Sequence, residues 1–151
     1  MNKQPVDLNS HMNLDVIRGG VADFELISTP VMFKNPVTGD MDSFDSRTVI
    51  TRADTGKALS VVSDRYSVVN HRDLLTTIEG AIEGIDVGPV PRGIYLENDG
   101  RKMRAIFKFP ALEREIQVHA LDRRTDRLCP LIKVSNSLDG TSKIIIEIGA
   151  F

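Results

Sequence analysis

Two Asp-Gly dipeptides, each set between strand-like runs, constrain this 151-residue chain more than any other feature. In the first, Ile94-Tyr95-Leu96-Glu97 and the run from Lys102 to Phe109 flank Asn98-Asp99-Gly100. In the second, Leu131-Ile132-Lys133-Val134-Ser135 and Thr141-Ser142-Lys143-Ile144-Ile145-Ile146-Glu147-Ile148 flank Asn136-Ser137-Leu138-Asp139-Gly140. Glycine supplies the positive φ that a tight turn demands, so both segments read as β-hairpins. Side chains alternate across a strand. Met103, Ala105, Phe107 and Phe109 therefore face one way, and Lys102, Arg104, Ile106 and Lys108 face the other, giving an apolar face and a mostly basic one.

The remaining pattern adds strands and one helix. Residues 24–34 are apolar and read as a strand that is interrupted or ended near Pro30. Asn35-Pro36-Val37-Thr38-Gly39-Asp40 is turn chemistry. Residues 47–52 and 57–63 read as a hairpin about Asp54-Thr55-Gly56, followed by a short extended piece with Tyr66, Val68 and Val69. Leu74, Leu75, Ile78, Ala81 and Ile82 recur at helical spacing, so a helix is expected over about 71–83, capped by Asn70 and stopped by Gly84. Residues 111–127 are charged and carry no clear period, and Asp122-Arg123-Arg124-Thr125-Asp126-Arg127 reads as an exposed loop. The order predicts an α+β fold: a mainly antiparallel sheet built from hairpins, with one central amphipathic helix. Residues 1–12 read as a flexible lead and 13–151 as a single domain. Because the chain stops inside an apolar run at Gly149-Ala150-Phe151, it is expected to be the N-terminal portion of a longer protein.

Composition excludes several classes. Hydrophobic residues make up 41% and charged residues 26%, the balance of an ordinary globular domain. No apolar run approaches the roughly 18 residues that a membrane span requires. The polar start, Met1-Asn2-Lys3-Gln4-Pro5-Val6-Asp7, lacks the apolar core of a signal peptide. The single cysteine, Cys129, rules out an internal disulfide and any multi-cysteine zinc site. A cytoplasmic location, with no membrane association, follows as the expectation.

Catalytic patterns are sparse. His11, His71 and His119 share no metal-ligand spacing, and each reads as a structural or surface residue. Cys129, between Leu128 and Pro130, reads as a small buried hydrophobe. Asn136 and Asp139 are explained by turn geometry, since Asx side chains bond their own backbone. There is no phosphate loop and no nucleophile elbow. A non-enzymatic protein without cofactor or metal is expected. The formal net charge of −2 does not argue for nucleic acid, but its distribution is uneven. From Arg101 to Lys133 nine Lys or Arg stand against four Asp or Glu. Lys102, Arg104 and Lys108 share a strand face, and Arg123, Arg124 and Arg127 crowd one loop. With Tyr66 as an aromatic platform, these form the candidate nucleic-acid-binding set.

Two stretches carry a family resemblance. Val61-Val62-Ser63-Asp64-Arg65-Tyr66-Ser67-Val68-Val69-Asn70, preceded by Asp54-Thr55-Gly56, resembles the "DTG … VVSDRY.VVQN" signature of phage/plasmid-like proteins grouped as a domain of unknown function. Asn136-Ser137-Leu138-Asp139-Gly140 resembles that family's "NSHDG", with Leu138 in place of the usual His. The resemblance covers roughly residues 45–151 and implies a bacteriophage, plasmid or integrated-element setting. It leads to the expectation of a protein that binds nucleic acid, single-stranded DNA in recombination or replication. The alternative is a structural or protein-interaction module: a virion or assembly component, or a counter-defence protein binding a host factor. Such a module would self-associate or take a partner through the C-terminal strand, whose edge is open.

Overall fold

The computed structural model describes residues 22–117 and 125–151. Strands β1 (Leu26–Lys34), β2 (Met41–Arg52) and β3 (Ala58–Ser63) form an antiparallel sheet in that order. Helix α1 (His71–Glu83) follows. Strands β4 (Arg92–Glu97), β5 (Lys102–Lys108), β8 (Pro130–Ser137) and β9 (Ile145–Ala150) make a second antiparallel sheet, ordered β4-β5-β8-β9. Between β5 and β8, β6 (Arg114–Gln117) and β7 (Thr125–Leu128) pair as a separate two-stranded sheet.

This corrects the expected fold class. The chain is mainly antiparallel β in three sheets, closer to an all-β fold than to α+β with a central helix. Two segments make the difference. Met41-Asp42-Ser43-Phe44-Asp45-Ser46 is polar enough to look like loop, yet its backbone pairs with β1 across the turn at residues 35–40. Residues 114–117, whose charged sequence leaves their structure open, and 125–128, of which 125–127 read as loop, pair as a hairpin. The helix lies to one side and covers only part of one sheet.

Where α1 sits is dictated by its apolar stripe. Asn70 caps it, its side-chain oxygen accepting from Arg72 N at 3.0 Å. Leu74, Leu75, Ile78 and Ile82 then pack on the inner face of the four-stranded sheet, against Ile94, Met103, Ala105, Phe107 and Val134. Each such side chain contributes about 1.5–3 kcal/mol when fully buried. The alternation expected on β5 holds: Met103, Ala105 and Phe107 are buried, and Arg104 is exposed. A smaller cluster of Phe24, Leu59 and Leu138 joins the three-stranded sheet to the four-stranded one, with Leu96 packed against both clusters.

Candidate functional site

The outer face of the four-stranded sheet collects the strand cations. Arg104 lies opposite Tyr95 on β4 and Ser135 on β8. Ile106 lies opposite Lys133, and Lys108 opposite Leu131. Lys102, Arg104, Lys108 and Lys133 therefore share one surface with the ring of Tyr95. Two carboxylates temper it: Glu97 accepts from Arg104 Nη2 at 3.1 Å, and Glu147 from Lys133 Nζ at 3.3 Å. The Lys108 ammonium stands 4.4 Å over the Phe151 ring. Exposed pairs of this kind contribute about 0–1 kcal/mol, so they hold these cations only weakly.

Of the residues expected to bind nucleic acid, Lys102, Arg104 and Lys108 are together on this face. Arg127 is not with them. It stands on β7, opposite Glu115 in register, with Glu115 Oε1 at 3.4 Å and Glu113 Oε1 at 3.7 Å. Arg123 and Arg124 lie outside the described residues. Tyr66 is also elsewhere: its ring lies against Gly140 and its hydroxyl donates to the Ser137 carbonyl at 3.0 Å. Lys133 is the cation the reading left out of the set. The period of two along Leu131-Ile132-Lys133-Val134-Ser135 was the signal that places it on the basic face.

Behind this sheet, the motif residues converge on a polar junction. His71 is fully buried at the start of α1. Asn136 Nδ2 donates to the Val69 carbonyl at 2.8 Å and to His71 Nδ1 at 3.0 Å. An amide NH₂ can only donate, so His71 Nδ1 must accept, and the proton sits on Nε2, 2.8 Å from the Gly100 carbonyl. Both ring nitrogens are thus committed. Burial holds the His71 pKa below its ordinary value, against the opposing bond to Gly100.

Arg52 closes the same junction from β2. Its guanidinium grips Asp54 with two bonds of 2.9 and 2.6 Å, donates to the Asp99 carbonyl at 2.9 Å, and lies 4.0 Å over the Phe24 ring. Lys57 Nζ meets Asp99 Oδ2 at 2.6 Å. The turn these groups hold runs through Asn98, Asp99 and Gly100 at φ of 53°, 60° and 94°. At Gly100 an added Cβ would stand 3.0 Å from the Phe24 ring and 3.1 Å from Arg52 Nη1. Asn70 Nδ2 reaches the Phe24 carbonyl at 3.1 Å, and the Ser60 hydroxyl reaches the Leu138 carbonyl at 2.8 Å.

In the Asn136–Gly140 segment, Asp139 Oδ1 accepts from Ser137 Oγ, Thr141 Oγ1 and Thr141 N. Burial pushes the Asp139 pKa up, but these bonds and the nearby Lys102 charge outweigh it and lower the pKa to about 2. A cleft of about 560 Å³ opens beside this turn, bounded by Tyr66, Val69, Gly140 and Lys143. Several polar residues within 61–70 and 136–141 thus fasten turns and sheets to one another. Leu138 is fully buried beside Phe24 and Leu59. Asp64 and Arg65 are the exposed charges of the longer motif.

No helix among the described residues is long and apolar enough to cross a membrane. No protein-family model matches the chain, and no curated protein or solved structure is significantly similar to it.

Proposed function

We propose that the chain is a non-enzymatic nucleic-acid-binding protein that takes single-stranded DNA on the outer face of its four-stranded sheet. The observation that carries this reading is the grouping of Lys102, Arg104, Lys108 and Lys133 around Tyr95 on one surface. Spaced cations meet the phosphates, and an aromatic ring gives a base something to stack on. The resemblance of residues 61–70 and 136–140 to phage/plasmid-like proteins supports a mobile-element setting, with recombination or replication in the host cytoplasm as the process. Arg127, on a different sheet and matched with Glu113 and Glu115, drops out of the proposed interface.

Fluorescence anisotropy with a labelled single-stranded oligonucleotide tests it. Binding should be strong at about 50 mM salt and fall with log[salt], by a slope near −0.7 per phosphate contacted. Lys102→Gln, Arg104→Gln and Lys108→Gln together should flatten that slope by about 2. Absence of binding at low salt, or a triple variant that binds like the parent, refutes the proposal.

A further inference from the structure

The outer face of the four-stranded sheet holds an apolar stripe among its cations. Residues directly opposite on neighbouring strands share a face, and the next row of that face lies two residues on. Tyr95 pairs with Arg104, Ile106 with Lys133, and Leu131 with both Lys108 and Gly149, in successive rows. One more row follows past β9, where Cys129 and Phe151 exchange main-chain bonds of 3.0 and 3.3 Å. Phe151 stands two residues after Gly149 and so falls on the same face, where its ring meets the Lys108 ammonium at 4.4 Å.

Moving one strand and one row at a time, the surface reads Tyr95, Ile106, Leu131, Phe151. These four lie on one diagonal, with no charge among them. Tyr95, Ile106 and Leu131 are half-buried, and Phe151 is 45% exposed. Arg104 and Lys133 form one flank of the diagonal, and Lys108 stands on the other. Glu97 closes the first flank at its β4 end, and Glu147 lies outside it. Beside Phe151 the face is open, since a Cβ added at Gly149 would meet nothing within 4 Å. Each diagonal step spans one strand and two residues, about 8 Å, so the two rings are about 25 Å apart along the sheet.

We propose that this diagonal is the track for the bases of a single strand, with Tyr95 and Phe151 as stacking platforms at its two ends and the phosphates running along Arg104 and Lys133. The track rests on the reading of this face as the single-strand surface, and it adds Phe151 as a binding residue and a minimum ligand length. A strand stacked at about 3.4 Å per nucleotide needs about seven nucleotides to touch both rings, and a splayed strand needs fewer. Stacking on a ring takes the π-face of any base, so the track is indifferent to sequence. A duplex keeps those faces covered and offers the track only its phosphates.

Anisotropy on the full chain at about 50 mM salt, with thymidine oligonucleotides of about 3 to 12 residues, tests the track. Affinity should climb with length and level off at about seven nucleotides. Tyr95→Ala and Phe151→Ala should each weaken a strand of about ten nucleotides by about 5- to 150-fold. Phe151→Tyr, which keeps a ring, should bind as the parent does, and circular dichroism checks that each variant is folded. An abasic strand of the same length keeps its phosphates and has no bases. It should bind the parent more weakly than the thymidine strand, and bind Phe151→Ala no more weakly than the parent. If the parent binds no single strand, the reading of the face falls and the track falls with it. If the parent binds, the track alone is overturned when Phe151→Ala matches it on the thymidine strand, or when the variant loses as much on the abasic strand.

Discussion

Truncating Asn136 to alanine isolates the group on which the polar junction turns. The amide makes three bonds: to the Val69 carbonyl at 2.8 Å, to His71 Nδ1 at 3.0 Å and from Ser137 N at 2.9 Å. Asn136 is 4% exposed and His71 is fully buried, so water does not reach Nδ1 once the amide is gone. A buried acceptor left bare costs about 1–3 kcal/mol, and the other two bonds about 1 kcal/mol each. Asn136→Ala should therefore lose about 3–5 kcal/mol, a large share of the 5–15 kcal/mol typical of a whole domain. Urea unfolding followed by far-ultraviolet circular dichroism suits a chain with two tyrosines and no tryptophan. With an m-value near 2 kcal/mol/M, the midpoint should fall by about 1.5–2.5 M. Adding His71→Ala should cost much less than the two single losses combined, because the partner is already gone. A loss below about 1 kcal/mol, or strict additivity, refutes the account of the junction.

Acid should weaken the protein through the same histidine. Its pKa is lowered on folding, so the unfolded chain takes the proton first, and stability drops as pH falls below about 6.5 with a slope approaching 1.4 kcal/mol per pH unit. The drop ends once the folded-state pKa is passed, and His71→Gln should flatten it in pH-dependent urea titrations. Gly100→Ala places a Cβ against Phe24 and Arg52 at a φ of 94°, and should cost about 1–3 kcal/mol by the same assay. Leu138→Ala empties a fully buried site beside Phe24 and Leu59 and should cost about 3 kcal/mol, measured as a shift in the thermal midpoint.

Local rules recovered the elements whose signals are local. The Asn98-Asp99-Gly100 turn, the two faces of β5 and the Asn70 cap depend on neighbours a few residues away, and each stands where the sequence puts it. β1 runs through Pro30 with a shift in register instead of ending there. Met41–Ser46 could not be read as strand, because its partner across the turn, not its own composition, holds it extended. The expected hairpin strands were likewise displaced, β8 running two residues further to Ser137 and β9 beginning four residues later at Ile145. For the site, periodicity grouped Lys102, Arg104 and Lys108. It could not exclude Tyr66 or Arg127, since being on another surface is a property of tertiary placement. His71 read as a bland cap-proximal residue because its partners, Gly100 and Asn136, are 29 and 65 positions away.

The junction has a consequence for how related chains can diverge. Ser60, Tyr66, Asn70, His71, Asn136 and Arg52 each send a side-chain donor to a main-chain oxygen, those of Leu138, Ser137, Phe24, Gly100, Val69 and Asp99. A main-chain oxygen is present whatever residue carries it, so the acceptor cannot mutate to rescue a lost donor. Compensating pairs are therefore closed to these six bonds. In an alignment of divergent relatives, the six donor positions should each be held singly and show no covariation with their acceptors. Pair-based contact inference would then be blind to the bonds that fasten this fold together.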